Sequence, residues 1–600
     1  MRTEIYRRLL GAFSWERTVC RIVAAWCCLI LTTLKPTSDF IHLSFAQSTS
    51  LLQVALGVLL FFALLSVAAF FGTPVNTDAI ALLVSSTVCF LWWGCFYSGE
   101  AKGLFLLSSI AVYSLFVIYC VRALMPLLEL WKPGKRTRLG ALIFAGVICC
   151  TVIATFGCLR YRTFSTPNFD FGIFCNMFHN MRETGLPMVT CERDQLLSHF
   201  AVHISPAYYL FLPFYFTFPS PLTLQICQSV VLAAGVIPVY LLARHFQLSS
   251  KVTILLTLTY AFYPAISGGC FYDLHENCFL PLFLLLTFYF FETKRTVPMY
   301  VCAALVLTVK EDAAIYLLFF AIFVLLSERK YLHGAILAGM AVGYFLLCGF
   351  LLENYGTGMM VNRFDNLIYN DEDGLLGAIK TALVNPAYLL TQLFSAENKS
   401  WDKIIYFVQM LLPLGMLPFC SKKASRWLLV APILINMLTM YGYQYNVGFQ
   451  YHFGITAFLF YATLKNLPEI EAVSVRRTLL GIAAAACVCC YAVTVLPFVN
   501  SYTGKWIRSR DSYLEMETFL QEELPEDASV AASTFLLPHI SDRSEIYEVA
   551  YHGYASDVEF VVLDLRYDSH KPFLNVYSVL DYEEYARLDN RILILQKNAE

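Results

Sequence analysis

The sequence predicts an α-helical polytopic membrane protein of about fifteen transmembrane helices, with a small C-terminal extracytoplasmic α/β domain. Three observations predict it. The 600 residues are 58% hydrophobic and only 14% charged, with a mean hydropathy of +0.60, whereas a soluble domain carries about 25% charge. Lys and Arg gather in short loops between apolar runs. After Tyr502 the hydrophobicity falls and short β-rich runs take over.

Residues 1–130 read as a four-span extension. Val19 to Leu34 follows a basic segment, and no A-x-A-like site comes after it, so it is expected to be an uncleaved first span. Leu51 to Phe71, Ala79 to Phe96 and Phe105 to Leu124 follow, each near the roughly 20 apolar residues that cross a bilayer as helix. These runs hold almost no polar residues, so they are expected to pack or anchor.

Residues 138–500 form the second unit, with irregular spans interrupted by Pro and by ionisable residues. Basic clusters mark its cytoplasmic returns at Trp131 to Arg138, Ala243 to His245, Thr293 to Arg295, Glu328 to Lys330, Ser421 to Arg426 and Arg476-Arg477. Parity then places the N-terminus inside and the C-terminus outside. It puts 161–221, 271–278, 353–402, 441–453 and everything after about residue 500 on the outer side. Lys310-Glu311-Asp312 splits the stretch from Pro298 to Leu326 into two pieces too short for full spans, so these charges are expected at an outer tip or a sunken turn. In residues 501–600 an acidic amphipathic stretch, Asp511 to Leu524, precedes strands expected near Val530, Phe560 and Ile592.

Composition excludes several classes. A net charge of -2 makes no case for nucleic acid. The twenty cysteines lie mostly inside apolar runs without repeated ligand spacing, which reads as packing. There is no Walker or Rossmann glycine pattern and no internal repeat.

Charged residues at membrane depth are costly and mark function. Asp170 stands at the start of a segment, Phe169 to Gly185, that reads as an amphipathic helix. It either caps that helix or serves as a catalytic or metal-binding carboxylate. His199 and His203 are four apart, on one face of a helix, and are either substrate ligands or headgroup contacts. Phe200 occupies the Glu position of the zinc-peptidase pattern, which argues against that chemistry. Asp273, His275 and Glu276 put two carboxylates and an imidazole within one turn, with Asp273 and Glu276 sharing a face if the segment is helical. The run Tyr441 to His452 brings Tyr, Gln and His to the same side.

These residues carry a resemblance. FDFGIF, then SHF-x-x-HISPAYYLFLPF, YPA, FYDLHEN, KEDA, SVAAS-x-x-LLPHISDRSEIY and VVLDLR occur in this order between about Asn168 and Asp568. Together they look like a family of bacterial and archaeal membrane proteins defined by a domain of unknown function. That family is similar, more remotely, to GT-C glycosyltransferases, which take a sugar from a polyprenyl-phosphate carrier at the outer membrane face. The resemblance implies a GT-C-like transmembrane domain over 138–500 whose first large outer loop, 161–221, carries the catalytic acid at Asp170. The acids that GT-C members often pair with it have no obvious equivalent here; only Glu183, Glu192 and Asp194 are nearby.

The implied reaction moves a sugar from a polyprenyl-phosphate-sugar donor to an unidentified acceptor. Asp170 would be the general base. Lys310, Arg162 and Arg193, or a divalent cation held by Asp273, Glu276, Glu311 or Asp312, would stabilise the departing phosphate. His199, His203, His275 and His452 would contact substrate. Two rivals stand beside this reading. A transporter or flippase would also place ionisable residues in broken spans, but it predicts two-fold repeats, and the sequence shows none. A non-enzymatic scaffold would leave the KED and FYDLHEN charges without purpose.

Overall fold

The computed structural model describes residues 14–33, 50–71, 77–95, 103–358, 362–370, 374–395, 401–551 and 557–598. The basic N-terminal segment at 1–8 lies outside the described residues. The extension contains four helices, α1 (Trp15–Thr33), α2 (Leu51–Phe71), α3 (Thr77–Cys95) and α4 (Gly103–Leu130). α2 is apolar on every face and exposed along nearly its whole length, the surface of a helix solvated by lipid.

The extension is less apolar than its composition suggests. Arg21 is fully buried and donates from Nε to Asp78 Oδ1 at 2.9 Å and from Nη2 to Asp78 Oδ2 at 3.1 Å. Arg17 Nε reaches the same carboxylate at 2.7 Å. The expectation of spans almost free of polar residues is corrected here: the first two turns of α1 carry Arg17 and Arg21, and a buried cation persists only when paired. α3 and α4 pack on the last membrane helices, with Phe90 of α3 and Tyr113 of α4 against Cys489 and Ala492. Gly94 permits this docking, since a Cβ there would sit 2.4 Å from the Ala492 carbonyl oxygen.

Beyond the extension run α5 (Lys135–Arg162), the short α6 (Ile173–Thr184), and α7 (Pro221–Ala234) continued by α8 (Val236–His245). Among the described residues seven helices are long and apolar enough to cross a membrane, fewer than the fifteen or so crossings expected. α1, where the sequence expects the first span, is not among the seven, and the rest of the shortfall lies in the middle of the chain, where prolines and charges cut helices short. α9 (Thr296–Leu307) and α10 (Ala313–Leu326) have 12 and 14 residues, about 18 and 21 Å of helix against a hydrocarbon core of roughly 30 Å. The Lys310-Glu311-Asp312 turn therefore joins two helices shorter than a full span, as the sequence predicts. At the centre, α11 (Phe453–Asn466) is buried at all 14 positions, as a helix enclosed by others must be.

The loops sort into two sets that bond among themselves. In the basic set, Lys465 bridges Glu292 and Glu328, Arg426 pairs with Glu469, Ser425 meets Ser327, and Arg477 reaches Glu129. The other set carries the candidate site. α12 (Val473–Thr494) runs into α13 (Leu496–Glu523), which kinks at Ser509 and delivers the chain to the C-terminal sheet.

Two short strands in the loop after α6 pair antiparallel, β1 (Met188–Val189) with β2 (Leu197–Ser198). The C-terminal sheet holds β3 (Val530–Ala532), β4 (Ile546–Glu548), β5 (Phe560–Asp564), β6 (Tyr582–Leu588) and β7 (Ile592–Lys597), in the order β4-β3-β5-β7-β6. The strands lie where the sequence expects them, at Val530, Phe560 and Ile592. β3 pairs parallel to β4 and β5, and β7 antiparallel to β5 and β6. One face of this sheet packs on Met516 and Leu520 of α13 and takes in Phe164 from the loop after α5 and Cys191 from the loop after α6.

Candidate active site

The site is a cavity of about 720 Å³ walled by separate stretches of chain: the loop after α5, the loop after α6, the 272–276 turn, Lys310, Arg363, the 441–451 loop and Tyr551. The first wall comes from Asn168 to Phe174. Helix α6 starts only at Ile173, with Gly172 at its cap position and no side-chain capping bond. Asp170 lies before it with φ 64° and ψ -69° inside a π-turn whose Ile173 N–H donates to the carbonyls of both Asn168 and Asp170. The capping alternative is thereby corrected: Asp170 leaves the helix geometry instead of starting it. Positive φ at a residue with a Cβ costs roughly 1 to 3 kcal/mol, and such strain gathers at sites where surrounding contacts over-determine the backbone.

Asp170 is half-buried on the cavity wall. Burial, and next the nearby Glu276 carboxylate, push its pKa up to about 7, with Lys310 pulling the other way. A carboxylate titrating there is poised to exchange protons at neutral pH.

His199 and His203 both face the cavity, but not from an α-helix; His199–Ala201 is a single 3-10 turn. His199 Nδ1 is 2.8 Å from Glu192 Oε2. Burial disfavours the imidazolium, yet Glu192 outweighs it and His199 is raised above the usual histidine range. His203 Nδ1 is 2.8 Å from Glu311 Oε1, and the other Glu311 oxygen accepts the Ile204 N–H at 3.1 Å. Glu311 thus holds a cavity residue from behind.

The FYDLHEN turn separates the residues that helical spacing would align. Asp273, at φ 72°, points away to Arg160 at 3.3 Å and to Gln225 Nε2 at 3.1 Å. His275 and Glu276 line the cavity. The shared face proposed for Asp273 and Glu276 is corrected, because the left-handed residue at 273 reverses the chain between them. Glu276 accepts from Tyr208 Oη at 2.7 Å and pairs with Lys310 Nζ at 2.9 Å, both ions almost fully buried.

Two of the substrate-contact residues expected from the sequence fall outside the cavity. Arg162 pairs with Glu517 of α13 at 2.6 Å, where it ties the α5 loop to the last helix. His452 is fully buried, with Nε2 2.7 Å from the Ala265 carbonyl oxygen, and serves packing between the central helices. Nor do Asp273, Glu276, Glu311 and Asp312 form a cation site. The first three are engaged by Arg160, Lys310 and His203, Asp312 is absent from the cavity wall, and among the described residues no three His, Cys, Asp or Glu side chains gather as metal ligands. The residues present do not fit a bound divalent cation.

Several site residues carry no signal in the sequence. Arg363 lines the cavity with its guanidinium 5.0 Å over the Tyr441 ring and 4.8 Å over the Tyr451 ring; among the described residues no carboxylate pairs with it. One arginine in a long loop has no pattern to betray it. Glu192 and Asn168 likewise stand in irregular segments. Arg193, a candidate cation in the sequence, does line the cavity, together with Tyr272, Tyr443 and Phe449. The assembled wall offers one poised carboxyl, the cations Arg193, Lys310 and Arg363, three imidazoles and a bank of aromatic rings.

A family model described as "Predicted membrane protein (DUF2079)" matches residues 160–579. No curated protein matches the chain. Among solved structures, ArnT from Cupriavidus metallidurans bound to undecaprenyl phosphate is 11% identical, with 76% of this chain and 97% of that chain covered and a TM-score of 0.49. The apo state of the same protein has a TM-score of 0.44 at the same identity and coverage.

Proposed function

The chain belongs to the family of predicted membrane proteins DUF2079, and on that premise we propose that it is a GT-C-like membrane glycosyltransferase, transferring a sugar from a polyprenyl-phosphate donor to an acceptor at the outer face. The observation that carries the reading is the cavity itself. A strained carboxyl with its pKa near 7 lines the same cavity as Lys310 and Arg363, the latter without a carboxylate partner among the described residues. An anionic ligand is the natural counterpart of a guanidinium that no carboxylate among the described residues neutralises, and the tyrosine rings suit the apolar faces of a sugar.

In this reaction Asp170 accepts the proton of the acceptor hydroxyl as its oxygen forms a bond to the anomeric carbon. The bond from that carbon to the donor's phosphate oxygen breaks, and the phosphate leaves with the electron pair. Arg363 and Lys310 stabilise the charge that develops on it. Glu276 keeps Lys310 protonated and in place, while His199 and His203, held by Glu192 and Glu311, offer hydrogen bonds to sugar hydroxyls. No metal enters the scheme, since Asp273, Glu276 and Glu311 are engaged by Arg160, Lys310 and His203 and Asp312 does not line the cavity.

Purified protein in liposomes, supplied with radiolabelled polyprenyl-phosphate sugars, tests the proposal by the appearance of labelled acceptor and free polyprenyl phosphate. Transfer that Asp170→Asn abolishes supports it. Movement of a solute across the bilayer with no sugar transferred from any donor would replace it with the transporter reading.

A further inference from the structure

The residue that strains the site is gripped from outside the membrane helices. Asn168, two positions before Asp170, is buried and makes three bonds. Its backbone N–H donates to Thr534 Oγ1 at 3.0 Å, and its Nδ2 donates to Glu548 Oε2 at 2.8 Å and to the Cys191 carbonyl at 3.1 Å. Thr534 and Glu548 belong to the C-terminal sheet region, Glu548 closing β4. On the other side of Asp170, Gly172 has no room for a side chain: a Cβ would lie 2.7 Å from Asn168 Oδ1 and 2.9 Å from Leu537 of the same C-terminal region. Both neighbours of the strained residue are therefore fixed by a segment more than 360 residues away in sequence.

We infer that the C-terminal sheet is a working part of the site, and that Glu548, through Asn168, is a positioning residue that holds Asp170 in its strained, cavity-facing conformation. The inference rests on the reading of Asp170 as the reacting carboxyl. Without the Glu548 bond, Asn168 keeps one acceptor for its amide in place of two, and the turn at 168–172 loses the hold that opposes its strain. Asp170 then relaxes toward an allowed φ and toward water. The charged groups facing it stay where they are: Glu276 and Lys310 from two turns of the membrane part, and Glu192 and His199 from the loop after α6. A change in its titration on loss of the clamp therefore reports its own displacement.

The test needs no turnover. An apolar carbodiimide adds to protonated carboxyl groups, and the tryptic peptide 163–182 carries Asp170 as its only carboxylate side chain. Full-length protein in nanodiscs is labelled across pH 5 to 9 and that peptide is quantified by mass spectrometry. Wild type is expected to be half-labelled near pH 7, in line with the value of about 7 for Asp170. Glu548→Ala and Asn168→Ala should lower labelling at pH 7 by about fivefold or more, the change for a midpoint one unit lower. Glu548→Gln, whose amide oxygen accepts the same bond, should restore the wild-type profile. Asn176→Ala breaks a different tie to the C-terminal region, its donation to the Ser541 and Arg543 carbonyls, and should leave the midpoint alone.

Wild-type profiles in both clamp variants would overturn the inference, as would an equal shift from Asn176→Ala. If Glu548→Ala fails to fold, Asn168→Ala decides. A wild-type midpoint in the ordinary aspartate range would instead remove the reading of Asp170 as the base, and the clamp with it, so the two failures are told apart.

Discussion

Lys310 Nζ lies 2.9 Å from Glu276 Oε1, and both side chains are almost fully buried in the wall of the cavity that Asp170 enters. This pair comes from two turns 34 positions apart, each at the end of a shortened helix. Breaking such a pair is worse than replacing it, because the surviving charge stays buried without compensation. Lys310→Ala should accordingly destabilise the protein by about 3 to 5 kcal/mol, read as a lowered thermal midpoint, and should also weaken polyprenyl-phosphate binding. The double change Lys310→Met with Glu276→Gln should recover most of the stability and none of the binding.

Arg363 separates charge from stability. It stacks on Tyr441 and Tyr451 and has no carboxylate partner among the described residues, so Arg363→Gln should leave the thermal midpoint near wild type. Polyprenyl-phosphate affinity, measured by tryptophan fluorescence or calorimetry, should fall by about tenfold, the equivalent of about 1.4 kcal/mol. Unchanged affinity would remove Arg363 from the phosphate site.

Asp170→Asn should keep expression and lipid-phosphate binding but lower transfer by about 10² or more, the scale of lost acid-base assistance. Because the carboxyl titrates at about 7, the wild-type rate should climb through neutral pH and level off above it. Stability carries the opposite sign. An acid whose folded pKa is raised binds its proton more tightly in the native state, so its contribution is present at low pH and is lost as pH rises from about 4 through about 7. The asparagine variant should therefore melt higher than wild type above pH 7, with the gap closing in acid.

The buried Arg21 and Asp78 pair holds α1 on α3, and Arg17 adds a second cation to the same carboxylate. Asp78→Leu should unseat the extension by leaving two arginines without their shared anion, lowering the thermal midpoint. Arg21→Met added to Asp78→Leu should bring part of it back. An unchanged midpoint in Asp78→Leu alone would mean that the extension contributes nothing to the stability of the rest.

Sidedness can be tested at exposed positions. Cysteines placed singly at Glu183, Asn370 and Asp589 should react with a membrane-impermeant thiol reagent from outside, and those at Lys135, Lys294 and Lys423 should not. The native cysteines give a quiet background, since all twenty are free and none is fully exposed.

Much of this arrangement was legible in the chain. Apolar runs of span length foretold the helices of the extension, because hydrocarbon leaves the backbone no other partner than itself. The charges at 310–312 foretold a break between two short helices, because ionisable residues are costly within a lipid-facing span. The C-terminal strands followed from the switch to short β-branched runs. These are properties of a residue and its immediate neighbours, and local composition is enough to state them. What the tertiary structure decided was the pairing. Helical spacing would place Asp273 beside Glu276, but a left-handed residue at 273 turned one toward Arg160 and left the other for Lys310. Arg162 and His452 looked like ligands and proved to be ties between helices, while Arg363 and Glu548 had no pattern to mark them. Whether a charge is spent on a partner or left facing a cavity depends on contacts between segments hundreds of residues apart, and it is the burial of each pair, not the identity of either member, that fixes which ones meet.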